Sequence, residues 1–324
     1  MRRIDAHCHF NGNHPSSAKL CDELNVKVMN ICLGLDNRGV WRDQAIRYRA
    51  MAKNFPDQFA WCTSIDLPRF DDRGYADAVI NQLDRDFADG AVACKVWKNM
   101  GMEVKKPDGS WFQVDDPLLA PIFSFIEKSN KTLVAHIGEP MACWRPLDKR
   151  SPHYGYYSVN PQWHMHGRTD WLSHGDHIQA RDNVLKRHPK LRFVGCHFGS
   201  LEYDVDEVAK RFDLYPNFAV DTSARLGDMM IQETSKVRDF FLKYQDRIMF
   251  GTDIFTHWDV PQLTDTQRAE MHRDIKECAL AWFDFLATDR DVTYWNITAK
   301  GLALPQDVAE KIWLHNAKRW YPGI

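Results

Sequence analysis

Apolar residues fall along the chain in eight short runs, at 1–10, 26–33, 59–65, 91–97, 132–137, 191–197, 217–221 and 247–253. Between them the spacing changes from two to about 3.6 and predicts helices over 16–24, 41–54, 75–87, 117–129, 173–188, 201–212, 229–244 and 266–287. A last helix is predicted over 306–320. Ala76, Val79, Ile80, Leu83 and Phe87 illustrate the helical stripe, and Gly34, Pro56, Gly90 and Pro189 punctuate the pattern. The stretch 11–15 is rich in turn formers. Strands alternating with helices mean parallel pairing, and eight of them suggest a closed (β/α)8 TIM barrel in a single domain, 1–324. An open doubly wound sheet is the competing architecture, but no G-x-G-x-x-G follows the first run.

The rhythm breaks once, in a long insertion after strand five from Gly138 to about Trp171. It carries Pro140, Pro146, Pro152 and Pro161, with Trp144, Tyr154, Tyr156, Tyr157 and Trp163 between them. Structureless loops of this length are usually functional or disordered, and the aromatic density argues against disorder. A lid, a sugar platform or a surface for a second copy in a homodimer would each use it.

The opening run, Ile4-Asp5-Ala6-His7-Cys8-His9-Phe10, alternates with period two, so Asp5, His7 and His9 are expected on one face. Imidazoles at i and i+2 stand about 7 Å apart along a strand, close enough to converge on one metal ion. A lone buried histidine is most often structural. Two bulky polar rings on an inward face, however, need partners.

Composition narrows the class. The chain has 324 residues, 44% hydrophobic and 27% charged, with a net charge of −2, as expected of a folded protein without the basic surface that nucleic acid requires. No apolar run approaches the 18–20 residues of a membrane span, and the N-terminus lacks the apolar core of a signal peptide. Eight scattered cysteines without a C-x-x-C pair fit neither a disulfide framework nor a zinc ribbon, so a reducing, cytoplasmic location is expected.

Barrel chemistry sits at the C-terminal ends of the strands. His7 and His9 finish strand one, Lys95 lies near the end of strand four, His136 ends strand five, His197 strand six and Asp253 strand eight. Three imidazoles (His7, His9 and His136) with the Asp253 carboxylate suit one divalent ion, Zn2+ foremost, with Mn2+, Co2+ or Fe2+ as alternatives. His197 then has a place beside a metal-activated water as base or electrostatic partner, because Phe193, Gly195 and His197 share a face by alternation. Arg145 and Arg225 follow strands five and seven, where they are candidates for gripping an anionic small-molecule substrate, as are His164 and His166 in the insertion.

The stretches Ile4–His9, Val134-Ala135-His136-Ile137-Gly138-Glu139-Pro140, Phe193-Val194-Gly195-Cys196-His197-Phe198-Gly199, Phe250-Gly251-Thr252-Asp253 and the closing Ile312–Trp320 together resemble the amidohydrolase superfamily. The similarity is to its amidohydrolase-related branch, which includes 2-amino-3-carboxymuconate semialdehyde decarboxylase. That resemblance implies metal binding by His7, His9 and His136, with Asp253 ligating or handling a proton and His197 orienting the nucleophilic water. It also implies either a carboxylated Lys95 bridging a second metal or, preferred here, a Lys95 contact to a substrate carboxylate. The expected function is a metal-dependent hydrolase for a small carboxylate-bearing ester, lactone or amide. A non-oxidative decarboxylase or hydratase is the alternative. A non-catalytic metal-binding scaffold is disfavoured, since it would have no use for His197.

Overall fold

The structure, a computed structural model, describes residues 2–10, 15–34, 38–256 and 263–324. Most of the turn-rich stretch 11–15 therefore lies outside the described residues. The strands are β1 (Arg3–Phe10), β2 (Val26–Ile31), β3 (Phe59–Ser64), β4 (Ala93–Val96), β5 (Thr132–Ala135), β6 (Arg192–Gly195), β7 (Phe218–Asp221), β8 (Ile248–Met249) and β9 (Ile254–Thr256). All pair in parallel, each with its sequence neighbour. β8 and β9 are two halves of one strand. The first pairs with β7 and the second with β1, in the register Cys8↔Ile254 and Phe10↔Thr256. Between the halves, Ala6 N donates to Phe250 O at 2.9 Å and Asp253 N to His7 O at 2.8 Å, which closes the ring.

Helices return the chain between strands. Two of them start at capping boxes, Ser173 with Asp176 and Thr264 with Gln267, each satisfying backbone donors that the first turn leaves open. The apolar residues divide into two cores. Ile4, Ala6, Met29, Ile31, Cys62 and Val194 fill the barrel, while a larger cluster packs the strands against the helices. Trp320 and Tyr321 belong to the inner core and plug its floor. Asn316 Nδ2 donates to Ile248 O at 2.7 Å, and Thr132 Oγ1 donates to Trp320 O, so the closing segment is tied to the strand starts.

Three expectations need correction. The alternation of β1 is broken by an irregularity between Asp5 and Cys8. Ile4 and Ala6 belong to the inner core, but Cys8 and Phe10 belong to the outer one. Asp5 consequently does not share the face of the two histidines. Second, β6 ends at Gly195 rather than reaching His197, and its inward residues are Val194 and Cys196 while Phe193 faces the helices. Third, the insertion is not a bare loop. It contains short helical turns at Met141–Trp144, Tyr154–Val159 and Pro161–Trp163. Cys143, Tyr157 and Met165 form a small core of its own with Met102. A hairpin of β10 (Asp291–Tyr294) and β11 (Ile297–Lys300), which the sequence pattern did not announce, rises beside the mouth.

Candidate metal centre and barrel mouth

The C-terminal ends of the strands open into a cavity of about 670 Å3 lined by His7, His9, Lys95, His136, His197 and Asp253, with Arg225 at its side. Among these residues the imidazoles are fully or almost fully buried. Local backbone explains how they gather. The irregularity in β1 re-aims His7 and His9 after Ala6 has faced inward. His197, Phe198, Gly199 and Ser200 form four consecutive left-handed residues, at φ between 56° and 63°. That turn, not strand alternation, brings His197 to the mouth. Asp253 is also left-handed, at φ 62°, in the joint between β8 and β9. Such backbone costs about 1–3 kcal/mol per non-glycine residue and persists only where the surroundings dictate it. Gly199 is required in this turn, because a Cβ there would meet Phe218 at 2.9 Å and Arg181 at 3.0 Å.

Hydrogen bonds commit one nitrogen of each of two rings and leave the other for the cavity. His7 Nδ1 lies 2.9 Å from Asp221 Oδ2 and 3.0 Å from Ser223 Oγ. His197 Nδ1 lies 2.9 Å from both Ser223 Oγ and Ser223 O, and its backbone N donates to Asp221 Oδ1 at 2.9 Å. Asp5 braces the other side, accepting from His7 N and Thr252 N at 3.1 Å each and from Thr252 Oγ1 at 2.6 Å. His7 Nε2 and His9 Nε2 converge on one oxygen, Asp253 Oδ1, at 3.4 and 3.3 Å. These separations are longer than good hydrogen bonds. Each is of the size that two ligands of one zinc ion keep from each other, about 3.3–3.4 Å for bonds of about 2.0–2.1 Å.

The charge states of His9, His136, His197 and Asp253 suit a cation, and His7 would join them by giving up its Nε2 proton to the ion. Burial keeps His9, His136 and His197 below the usual imidazole range, so all three are neutral donors near pH 7. Burial and Lys95 pull His7 down as well, but Asp221 prevails and raises it to about 10. Burial works against the Asp253 charge, yet His197 and His7 hold its carboxyl far below the usual range. His136 Nε2 is buried without a hydrogen-bond partner in the protein. The compact ligand group here is His7, His197 and Asp253, one atom of each within 4.8 Å of the others, whereas among the described residues His9 and His136 belong to no such group. His197 itself therefore stands within reach of such an ion. The residues present therefore fit a divalent metal.

Lys95 is fully buried and donates to Cys196 Sγ at 2.8 Å while lining the cavity. Arg225 lines it too, and its Nε has no partner in the protein. The structure does not bring Arg145, His164 or His166 to this cavity. Arg145 is exposed and lines a separate cavity of about 900 Å3 beside the barrel. His164 Nε2 and His166 Nδ1 pair with the backbone oxygens of Arg145 and Trp144 at 3.0 and 3.3 Å, which holds both on the outer side of the insertion.

Several residues at the mouth escaped sequence reasoning. Asp221 ends β7 as Asp253 ends its strand, so the same strand-end signal was present. Lys98 and Glu139 form a buried ion pair, Lys98 Nζ lies 3.2 Å from Tyr156 Oη and 3.9 Å from the Trp163 ring centre, and both charges line the cavity. The insertion thus walls the mouth through Pro140, Pro152, His153 and Tyr156.

A family model described as amidohydrolase matches residues 4–323, and the chain belongs to that family. The family is an enzyme family and typically metal-dependent. No curated protein matches the sequence. Among solved structures, 2,6-dihydroxybenzoate decarboxylase from Rhizobium is 18% identical over 98% of both chains, with a TM-score of 0.60. A putative amidohydrolase from Staphylococcus aureus is 13% identical over 99% of both chains, with a TM-score of 0.59. 4-Oxalomesaconate hydratase from Rhodopseudomonas palustris is 14% identical over 99% of this chain and 95% of its own, with a TM-score of 0.51. At these identities the likeness concerns the fold.

Proposed function

We propose that the chain is a metal-dependent hydrolase of a small anionic ester, lactone or amide, working at the barrel mouth. The observation that carries this reading is the convergence of His7 Nε2 and His9 Nε2 on Asp253 Oδ1 beside the unpartnered His136 Nε2. His7, His9, His136 and Asp253 would hold one divalent ion, Zn2+ by the chemistry of the donor set, with Mn2+, Co2+ or Fe2+ as alternatives. When bound, such an ion lowers the pKa of a water and polarises a carbonyl. The protein's own groups do the rest. Asp221 and Ser223 fix the tautomers of His7 and His197. Asp253, ionised, accepts the proton of the attacking water and passes it to the leaving group, and the neighbouring His197 orients that water. Lys95, Lys98 and Arg225 supply positive charge for a substrate carboxylate. A cytoplasmic setting suits eight cysteines that are all unpaired, seven of them buried.

A lyase reading is the second candidate, favoured by the decarboxylase and hydratase among the fold neighbours, since the same groups can protonate a carbanion or add water. Incubation of the metal-loaded protein with a panel of small aromatic and aliphatic carboxylates, esters and lactones separates the two. Released carbon dioxide or a hydrated product would overturn hydrolysis. Cleavage with uptake of one water and no carbon dioxide supports it.

A further inference from the structure

A second group of potential ligands lies outside the His7–Asp253 centre. His153 comes from the insertion, Glu202 from the turn after β6, and Asp228 from the short helix Leu226–Met230 after β7. One ligand atom of each lies within 4.8 Å of the others. The group sits where the mouth cavity meets the side cavity, since His153 and Asp228 line both and Glu202 lines the latter. Its hydrogen bonds are half complete. Glu202 Oε1 accepts from Met141 N at 2.9 Å, and Asp228 Oδ1 lies 2.9 Å from His153 Nε2. Glu202 Oε2 and Asp228 Oδ2 are buried with no partner in the protein, in residues only 1% and 5% exposed. Burial and the neighbouring Asp228 push the Glu202 carboxyl above its usual range, with Arg225 and His153 acting against them, so the pair of carboxylates is short of positive charge. Buried carboxylate oxygens without partners are rare, because desolvation of an unpaired charge is expensive.

We propose that His153, Glu202 and Asp228 form a second divalent-cation site, of the Zn2+ or Mn2+ class, which pins the insertion to the β6 and β7 loops. One imidazole nitrogen with two carboxylate oxygens suits those ions, and water completes their coordination. Binding requires neutral His153 and two ionised carboxylates, so it releases protons. The site is independent of the catalytic reading, as it shares no ligand with the His7–Asp253 centre.

The test uses the full chain stripped by chelator and titrated with Mn2+ alone, following bound ion by electron paramagnetic resonance and proton release by calorimetry. Two equivalents are expected for the unaltered protein. His153→Gln, at a residue on the insertion's rim, should weaken one of them at least tenfold, as even outer-shell changes cost about 10–100-fold. The pair Glu202→Gln with Asp228→Asn should abolish it. His7→Ala should remove the other and leave this one. Equal stoichiometry and affinity in the unaltered and His153→Gln proteins would overturn the proposal, as would a His7→Ala protein that binds no Mn2+. Loss of the catalytic ion alone would count against the proposed function and leave this site standing.

Discussion

The two ends of the barrel solve opposite problems. At the floor, Leu314, Ala317, Trp320 and Tyr321 join the inner apolar core, and the exposed backbone ends there are met by Asn316 and Thr132. At the mouth, four imidazoles, two lysines and the Glu139 and Asp228 carboxylates are buried around one cavity, with Asp253 half-buried beside them. Left-handed backbone carries His197 and Asp253, and His9 Nδ1 and His136 Nε2 lack partners in the protein. The floor lowers the free energy of the fold. The mouth raises it, and the arrangement persists because Asp5, Asp221 and Ser223 over-determine the rings from outside. Residues at the mouth should thus be dispensable for folding and indispensable for chemistry, with the reverse at the floor.

The sharpest way to break that contrast is to remove a ligand. His136→Ala should lose the ion of this centre, one of the two bound equivalents, and all measurable turnover while the melting temperature in chelator stays level or rises. His7→Ala should lose the same ion and turnover but also stability, because it strands the buried Asp221 carboxylate. A His136→Ala protein that has also lost much of its stability would show that the mouth supports the fold after all. His197→Ala should keep its metal, measured by elemental analysis, and lose a factor of roughly 10²–10⁴ in turnover, the scale for a positioned acid–base group. Because His197 stands within reach of the same ion, a His197→Ala protein that retains one equivalent instead of two would reassign it as a ligand. At the floor, Trp320→Ala should cost about 3–5 kcal/mol of stability, the range for truncating a large buried aromatic residue, and leave metal content unchanged below the melting transition. Denaturant unfolding checks the first part. Metal lost from the folded variant would mean that the two ends are coupled.

The contrast also explains what the sequence disclosed. The floor and walls follow hydrophobic periodicity, and the parallel strands and the helices between them appear in the expected order. The helix expected over 229–244 is two, however, Leu226–Met230 and Thr234–Lys243, and no periodicity announces the hairpin of β10 and β11. The residues of the centre were legible because Asp253, His136 and the His7–His9 pair mark strand ends by position. How they reach the cavity was not legible. The break in β1 and the left-handed turn at His197 obey no alternation, and a glycine in the turn was the visible trace. That Arg145, His164 and His166 lie away from the mouth cavity was not legible for a related reason: inside the insertion no period exists, so proximity in sequence to a strand end says nothing of direction. Their backbone partners, seen only in three dimensions, turn them outward.

The smallest expected effect concerns Lys98, where mouth and insertion meet. Burial lowers its ammonium from the usual lysine range to about 7, Arg225 adding to that push. Its positive charge is therefore complete below that pH and is lost as pH rises through it. If Lys98 helps hold an anionic ligand, the affinity of a small carboxylate should fall as pH climbs from about 6 to 8, by at most about tenfold per unit for one proton. Lys98→Arg retains the charge across this window and should flatten the profile. Lys98→Met should bind the carboxylate weakly at every pH, also without the slope. Ligand titrations at fixed ionic strength decide the matter, because screening would mimic a weakened contact. A Lys98→Met protein that keeps the slope of the unaltered protein would move the titrating charge elsewhere in the mouth and leave Lys98 as the buried partner of Glu139, a residue of the fold rather than of the chemistry.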